Sequence, residues 1–255
     1  MLRDPAMAQP RYRLSRSIIY GYFPTGVKWL LIVNTVIFVI EYLGGRTVQS
    51  LLSPLALVPD LVVYSFPFYV WQLFTYMFLH GGIGHLLFNM LALWMFGLPL
   101  EQTWGTRKFL KYYFLCGIGA GICDVLVNVA LGRHTSTIGA SGGIYGLLLA
   151  FGVLFPDTTV LMSFLFPIKA KYLVMIYAAV ALLSALGSGN SGVSNVAHLG
   201  GMLFGLLYLK VQLPRMAFLH LPDIGGRYRQ WKMQRAKKKF QVYMRKHDGR
   251  GPWVN

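Results

Sequence analysis

Six long apolar runs dominate this sequence and restrict the folds that it can adopt. They lie at Val27–Leu43, Gly84–Leu98, Phe109–Leu131, Ser141–Phe155, Ile168–Leu186 and Val196–Val211. A transmembrane helix needs about 20 apolar residues, and a chain of 255 residues has room for six such helices with loops and tails. Only 13% of the residues are charged, about half the fraction of an average soluble domain. We therefore predict an all-α membrane protein, a bundle of six transmembrane helices.

The lysine and arginine residues are sorted by alternating loops. Of the 24, 22 lie in or beside the two tails and the connections after the second and fourth runs; the other two are Arg46 and Arg133. This is the positive-inside pattern of a chain with both termini in the cytoplasm. A nucleic-acid-binding protein has no reason to sort its charge by alternate loops. We therefore assign the net charge of +16 to membrane topology and not to nucleic acid.

These patterns divide the chain into three segments. They are a basic cytoplasmic N-terminal tail at 1–26, a six-helix core at 27–211 and a basic cytoplasmic C-terminal tail at 212–255. The C-terminal tail interleaves its basic residues with Trp231 and Phe240, which favours binding to anionic lipids. A solvated tail that only sets the topology is the alternative. We expect no cleavable signal peptide, because no small-residue cleavage site follows the first apolar run.

The connection at 44–78 is unlike an aqueous loop, because it is rich in aromatic and apolar residues. Aromatic rings are favourable at the membrane interface. We predict that this first loop is embedded in the membrane surface. The second apolar run could also extend upstream through Leu73–Leu79.

Two polar residues stand where apolar runs begin. Ser141 opens the fourth run inside the glycine-rich segment 138–146, where small neighbours leave its hydroxyl accessible and the free N–H groups of a helix start can face an oxyanion. His198 opens the sixth run, and histidine is the usual base for activating a serine hydroxyl. Both runs enter from the charge-poor side, because two crossings separate them. Taken singly, each residue also fits a packing role.

A second pair of polar residues opens the second run on the same side. His85 and Asn89 are four residues apart and so share one helix face. An imidazole N–H and a side-chain amide could both donate to a developing oxyanion, with helix capping as the alternative role. Asp124 is the acid deep in the third run. We expect a satisfied structural carboxyl there, with orientation of His198 as the alternative.

Three motifs carry a resemblance to a known family. They are Gly-Ala-Ser-Gly-x-x-Tyr-Gly at 139–146, Ala-His-Leu-Gly-Gly-x-x-x-Gly at 197–205 and His-x-x-x-Asn at 85–89. In order, spacing and topology the chain resembles the rhomboid intramembrane serine proteases over about residues 27–211. The resemblance implies a six-transmembrane-helix rhomboid-like bundle with a membrane-embedded first loop. It also implies a Ser–His dyad in a water-filled cavity that opens to the extracytoplasmic side, with no metal or cofactor.

The resemblance also implies roles for individual residues. Ser141 would be the nucleophile and His198 the general base, and the oxyanion hole would comprise Asn89, His85 and the Ser141 backbone N–H. Supporting positions are Tyr145 as the ring beneath the histidine, Gly139 before the serine, Gly201 and Gly205 as the glycines that join the sixth and fourth helices, and Glu101 as a structural polar residue after the second helix. The sequence departs from the pattern at Trp71-Gln72, where many members have Trp-Arg, so the resemblance does not specify the hydrogen bonding of the first loop.

We therefore predict an intramembrane serine endopeptidase that hydrolyses peptide bonds in or near transmembrane segments of its substrates. The protein would be a multi-pass protein of a bacterial plasma membrane, with organellar membranes as the alternative. The alternative function is a catalytically inactive rhomboid-like protein that binds transmembrane clients, although such relatives usually lack the serine or the histidine. The substrate and the oligomeric state are not specified by the sequence.

Other enzyme classes fit the sequence less well. Gly139-x-Ser141-x-Gly143 matches the nucleophile elbow of soluble hydrolases, but that elbow needs a strand before the serine and residues 132–139 contain no apolar strand. A metalloprotease would need His-Glu-x-x-His, which is missing. An aspartyl intramembrane protease would need a second acid beside Asp124. A transporter would explain the hydropathy but not the polar residues that share one side.

Overall fold

The computed structural model describes residues 23–162, 166–186, 194–212 and Met233. The chain divides into one compact unit at Met1–Leu209 and a second at Lys210–Asn255, and nearly all described residues belong to the first. The predicted tails at 1–26 and 212–255 lie almost wholly outside the described residues. Lipid binding by the C-terminal tail therefore stays a prediction.

The described residues form eight α-helices and one antiparallel pair of strands. In chain order these are α1 (Thr25–Leu52), α2 (Pro59–Val63), α3 (Gln72–Thr75), α4 (Ile83–Trp104), α5 (Thr106–Ala130), α6 (Ser141–Leu154), β1 (Thr159–Met162), β2 (Phe166–Lys169), α7 (Ala170–Leu186) and α8 (Asn195–Gln212). Three helical segments in this part of the chain, α1 with the turn after it, α4 and α5, are long and apolar enough to cross a membrane, and α6, α7 and α8 are shorter apolar helices. These six helices follow the six apolar runs. The prediction of an all-α membrane bundle is therefore confirmed.

Helix α6 is the central element of the bundle. Ten of its 14 residues are buried, and it packs against α4, α5 and α7. A helix of 14 residues is about 21 Å long, which is shorter than the hydrocarbon core of about 30 Å. Helix α6 is therefore too short to span the hydrocarbon core by itself.

Three sequence-based boundaries are wrong. The region after Leu43 was predicted to be loop, but helix α1 resumes beyond a kink at Gly45, whose φ of +58° is non-helical, and continues to Leu52. The second run does not extend upstream, because α3 and a 3-10 turn end at Phe78 and α4 begins at Ile83. The fifth run begins in strand β2, since Ile168 pairs with Val160 of β1.

A cluster of opposite charges lies around the hairpin formed by β1 and β2, with Asp157 before β1, Lys169 at the end of β2 and Lys171 in α7. Lys171 donates a hydrogen bond to the Asp157 carboxylate at 2.8 Å, and Lys169 lies 3.7 Å from the same oxygen. The hydrogen bond from Lys171 holds the pKa of the Asp157 carboxyl below its usual range. These charges lie in the connection that the charge pattern assigns to the cytoplasmic side.

The first loop is built around a buried glutamine. The Gln72 Oε1 accepts a hydrogen bond from the Val58 N–H at 2.9 Å, and its Nε2 donates to the Pro54 carbonyl at 3.1 Å. Thr75 adds a bond from its Oγ1 to the Leu55 carbonyl at 2.8 Å. A neutral amide thus holds this loop together at the position that departs from the Trp-Arg pattern. The loop directs several rings outward: Tyr64, Phe66, Phe68, Trp71 and Phe74 are exposed.

Glu101 connects the start of α1 to the junction between α4 and α5. Its side chain is 3% exposed, and its two oxygens accept hydrogen bonds of 2.7 Å from the Gly26 and Val27 backbone N–H groups. The Thr106 hydroxyl donates a third bond at 2.6 Å. A carboxylate is favourable here because the first N–H groups of a helix lack partners within the helix and carry a partial positive charge. Glu101 thereby fixes α1 against the bundle.

We expect Glu101→Ala to destabilise the protein by about 2–4 kcal/mol, because it leaves two buried N–H donors without an acceptor. Thermal unfolding in detergent measures the change. The matched control is Gln102→Ala, which truncates an exposed neighbour and should leave the unfolding temperature unchanged. Equal unfolding temperatures for Glu101→Ala and the wild type would contradict the assigned role.

Candidate active site

Ser141 and His198 are in direct contact. Ser141 is the first residue of α6 and His198 lies in the first turn of α8. The Ser141 Oγ is 2.9 Å from the His198 Nε2, which is hydrogen-bonding distance. A neutral imidazole in this position can accept the serine proton.

The contact depends on a close approach of the two helices. A Cβ atom added to Gly201 would lie 1.9 Å from the Gly142 carbonyl oxygen, so α8 touches the α6 backbone at a point where no other residue fits. The nearest atom to a Cβ on Gly205 is the Tyr112 hydroxyl oxygen on α5, at 2.4 Å, and this hydroxyl donates to the Gly146 carbonyl of α6 at 2.8 Å. Gly201 therefore joins α8 to α6 directly, and Gly205 packs against a tyrosine of α5 that bonds to α6. Small residues allow such contacts in membrane bundles, where packing and not water exclusion drives helix association.

Tyr145 lies flat against the histidine. The ring centroids of Tyr145 and His198 are 4.1 Å apart and the ring planes differ by 7°. Tyr145 is one helical turn after Ser141, so the helix that carries the serine also supports the imidazole. The His198 Nδ1 has no hydrogen-bond partner among the described residues. Asp124 therefore does not orient His198 directly; its carboxylate bonds to Asn128, Thr137 and Ser194.

His85 and Asn89 face the segment that leads to the serine. The Gly81 N–H donates to the His85 Nδ1 at 3.3 Å, so a neutral His85 carries its proton on Nε2. A Cβ on Gly139 would lie 2.7 Å from that Nε2 and 3.9 Å from the Asn89 Nδ2. The Asn89 amide donates one of its two hydrogens to the His85 carbonyl at 2.9 Å. Its second hydrogen remains for another acceptor. Two N–H donors thus converge beside the backbone before Ser141.

Gly139 is required by both its conformation and its surroundings. Its φ of +119° is one that side chains rarely adopt, and a side chain there would overlap the His85 ring. The Gly139 N–H donates to the Tyr76 carbonyl at 2.9 Å, which ties the segment to the first loop. The glycine therefore allows His85 to approach the start of α6.

A cavity of about 1010 Å³ contains the four polar residues. Its walls come from α4, α6, α7, α8 and the segment before Ser141. Apolar side chains such as Phe88, Met95 and Leu173 line much of it. An apolar cavity with a few convergent polar groups is typical of a substrate site, and a volume of about 1010 Å³ is at the upper end of the usual range for ligand pockets.

Sequence reasoning missed several residues that shape the site. Tyr76 lines the cavity and donates from its hydroxyl to the Gly117 carbonyl at 2.7 Å. His80 is 2% exposed and its ring centroid is 5.1 Å from that of His85. Ser194 directly precedes α8, and a serine just upstream of an apolar run is a helix-capping signal that could have identified it. No periodic signal identifies the other two.

Comparisons with known proteins show which family the sequence resembles. A family model described as "Rhomboid domain" matches residues 67–215, more than half of the chain. "RHOMBOID-like protein 2" of Arabidopsis thaliana is 33% identical over 174 residues, which cover 68% of this chain and 50% of that protein. "Rhomboid protease GluP" of Bacillus subtilis (strain 168) is 33% identical over 61% of this chain and 27% of that protein. "Rhomboid protease AarA" of Providencia stuartii is 30% identical over 54% of each. The chain thus spans about half or less of these relatives' lengths.

We expect Gly201→Ala to destabilise the protein by about 1–3 kcal/mol, the usual cost of overpacking, because the added methyl group pushes α8 away from α6. The same shift should lengthen the Ser141–His198 contact. Gly84→Ala in α4 is the matched control, since a Cβ there meets nothing within 4 Å and alanine favours a helix. Thermal unfolding in detergent measures both variants. A Gly201→Ala protein as stable as Gly84→Ala would contradict the close approach.

Proposed function

The chain belongs to the rhomboid family, and we propose on that premise that it is an intramembrane serine endopeptidase. That family includes intramembrane serine proteases, and two of the relatives are named as proteases. The observation that carries the proposal is the distance of 2.9 Å between the Ser141 Oγ and the His198 Nε2, inside a cavity large enough for a peptide.

The first half of the reaction forms an acyl-enzyme. The Ser141 Oγ attacks the scissile carbonyl carbon while the His198 Nε2 accepts the hydroxyl proton. The tetrahedral oxyanion receives hydrogen bonds from the Asn89 amide, the His85 Nε2–H and the Ser141 backbone N–H. The carbonyl then re-forms, the C–N bond breaks, and His198 gives its proton to the leaving amine.

The second half releases the acyl product. A water molecule gives a proton to His198 and attacks the ester carbonyl, and the same donors stabilise the second oxyanion. Collapse of this intermediate breaks the bond to Ser141, whose Oγ recovers the proton from His198. Stacking on Tyr145 keeps the imidazole in one orientation through both halves, so no third residue on the Nδ1 is needed for the dyad to act.

The proposal extends to substrate and location. The substrates would be proteins with a transmembrane segment, cut in or beside that segment. The charge pattern supports cytoplasmic termini, and then the starts of α4, α6 and α8, which bear the four polar residues, lie toward the extracytoplasmic side. The membrane would be a bacterial plasma membrane, with organellar membranes as the alternative. The short α6 supports a site below the membrane surface.

A fluorophosphonate probe tests the nucleophile. We expect the detergent-solubilised wild-type protein to be labelled and Ser141→Ala not to be, since the probe reacts with an activated serine. His198→Ala should lose nearly as much labelling as Ser141→Ala, and the double variant should be little worse, because members of a catalytic unit act non-additively. A folded wild-type protein that resists labelling would favour the inactive, client-binding alternative.

The oxyanion donors have their own test. We expect Asn89→Ala to lower kcat about 100- to 1000-fold, the usual effect of removing one such donor, with little change in KM. Turnover of a model single-span substrate measures both constants. The matched control is Met90→Leu, a volume-conserving change at the next position of α4. Wild-type kcat in a folded Asn89→Ala protein would remove Asn89 from the oxyanion hole.

The position of the cut is a further expectation. An intact helix hides its carbonyl groups in hydrogen bonds, so a substrate must locally unwind near Ser141. We expect faster cleavage when Gly or Pro lies near the extracytoplasmic end of the substrate helix, with cuts in its outer third. Mass spectrometry of the products locates them. Cuts at the cytoplasmic end, or equal cleavage of a uniform polyleucine span, would refute this orientation.

A further inference from the structure

Asp124 lies at the centre of a buried polar cluster next to the dyad. Its side chain on α5 is fully buried. The Oδ2 accepts a hydrogen bond from the Thr137 hydroxyl at 2.9 Å, and the Oδ1 accepts bonds from the Asn128 amide at 3.0 Å and from the Ser194 hydroxyl. Three donors thus bond to the two carboxylate oxygens. Asn128 lies one turn later on α5, Thr137 lies in the segment before α6, and Ser194 lies directly before α8.

Ser194 transmits this contact to the start of α8. Its Oγ accepts a hydrogen bond from the Ala197 N–H at 3.1 Å, which is the N-cap arrangement of a helix. Because the Oγ is the acceptor there, its own hydrogen is free for Asp124. The Ser194 carbonyl also accepts the His198 N–H at 3.3 Å. The first turn of α8, which carries His198, is therefore connected to the carboxylate.

Thr137 connects the same carboxylate to the segment before α6. Its backbone pairs with Leu57 of the first loop through two hydrogen bonds, of 3.0 Å and 2.8 Å, so Thr137 is held from two directions. Thr137 is four residues before Ser141, and Ser194 is four residues before His198. One buried carboxylate thus bonds to a residue at the same short distance upstream of each member of the dyad.

We propose that Asp124 is a positioning residue that sets the separation of Ser141 and His198 by holding Thr137 and Ser194 together. This inference rests on the proposed function. A misplacement of about 1 Å between reacting groups can cost about 100-fold in rate, so the dyad needs a fixed connection between the starts of α6 and α8. The glycine contact brings the two helices together, and the carboxylate fixes their first turns. A carboxylate is also favourable at the N-terminus of α8.

Thr137→Val, Ser194→Ala and Asp124→Leu break the connection at different points, and Asp124→Asn is designed to keep it. Thr137→Val and Ser194→Ala each remove one hydroxyl, and we expect each to lower kcat about tenfold or more, within the range for misplaced reacting groups. The KM should stay near the wild-type value, because a changed separation of the dyad affects the chemical step and not the binding of the substrate. Asp124→Asn keeps an oxygen for Ser194 and an amide that can donate to Thr137, so it should retain much more activity than Asp124→Leu.

Two controls separate positioning from stability. Thr135→Val removes a hydroxyl that bonds to Asn128 at 3.4 Å and not to the carboxylate, and it should keep the wild-type kcat. Glu101→Gln weakens the distant attachment of α1, so it should lower the unfolding temperature without lowering kcat well below that temperature. Turnover of a single-span substrate and the rate of fluorophosphonate labelling are measured on the full chain, together with thermal unfolding.

The outcomes are distinct. Lower kcat and slower labelling in Thr137→Val and Ser194→Ala at unchanged KM, with recovery in Asp124→Asn relative to Asp124→Leu, support the proposal. Wild-type kcat in the two hydroxyl variants overturns it. A similar fall of kcat in Glu101→Gln and in the hydroxyl variants at equal losses of unfolding temperature also overturns it, because the effect would then be one of stability. If Asp124→Leu does not fold, the hydroxyl variants decide alone. Failure of the wild-type protein to label or cleave would overturn the proposed function instead.

Discussion

The backbone contact between α8 and α6 is the constraint on which the site depends. Gly201 lies against the Gly142 carbonyl, where a methyl group has no room, and only this approach brings His198 within 2.9 Å of Ser141. In a bilayer the surrounding lipid is as apolar as the side chains, so helices associate through packing and hydrogen bonds. A short, mostly buried α6 suits this role, because its neighbours can surround it on all sides.

Besides the glycine contacts, two buried carboxylates fix helices within the bundle. Glu101 accepts hydrogen bonds from the first N–H groups of α1. Asp124 accepts a hydrogen bond from the hydroxyl of Ser194, the serine that caps α8. An acid within an apolar bundle is costly unless it is paired or hydrogen-bonded, and a helix N-terminus offers donors together with a favourable partial charge. Both acids thus fix the start of a helix, Glu101 through backbone N–H groups of α1 and Asp124 through the hydroxyl of the serine that caps α8.

The helices and the polar residues at their starts could be predicted from the sequence, because apolar runs and the residues that interrupt them are local features. The resemblance also identified the His-x-x-x-Asn pair and the serine and histidine that the structure brings together. Other features depend on contacts between distant segments. Ser194 and Asp124 are 70 residues apart, and Gly205 faces Tyr112; no periodicity encodes either pairing. The helical turns after Gly45 were also missed, because a glycine pair there resembled the end of a helix.

The neutral interior of the first loop has an electrical consequence. Arg46 belongs to helix α1, and between the end of α1 at Leu52 and the start of α4 at Ile83 the only acidic or basic side chain, histidine aside, is Asp60, which lies 2.6 Å from His134. Membrane voltage does about 2.3 kcal/mol of work per elementary charge for each 100 mV that the charge crosses. Because Gln72 is neutral, this loop contains almost no charge on which the membrane voltage could do work. The depth of the loop in the bilayer is then set by its outward rings, and it should stay the same in energised and de-energised membranes.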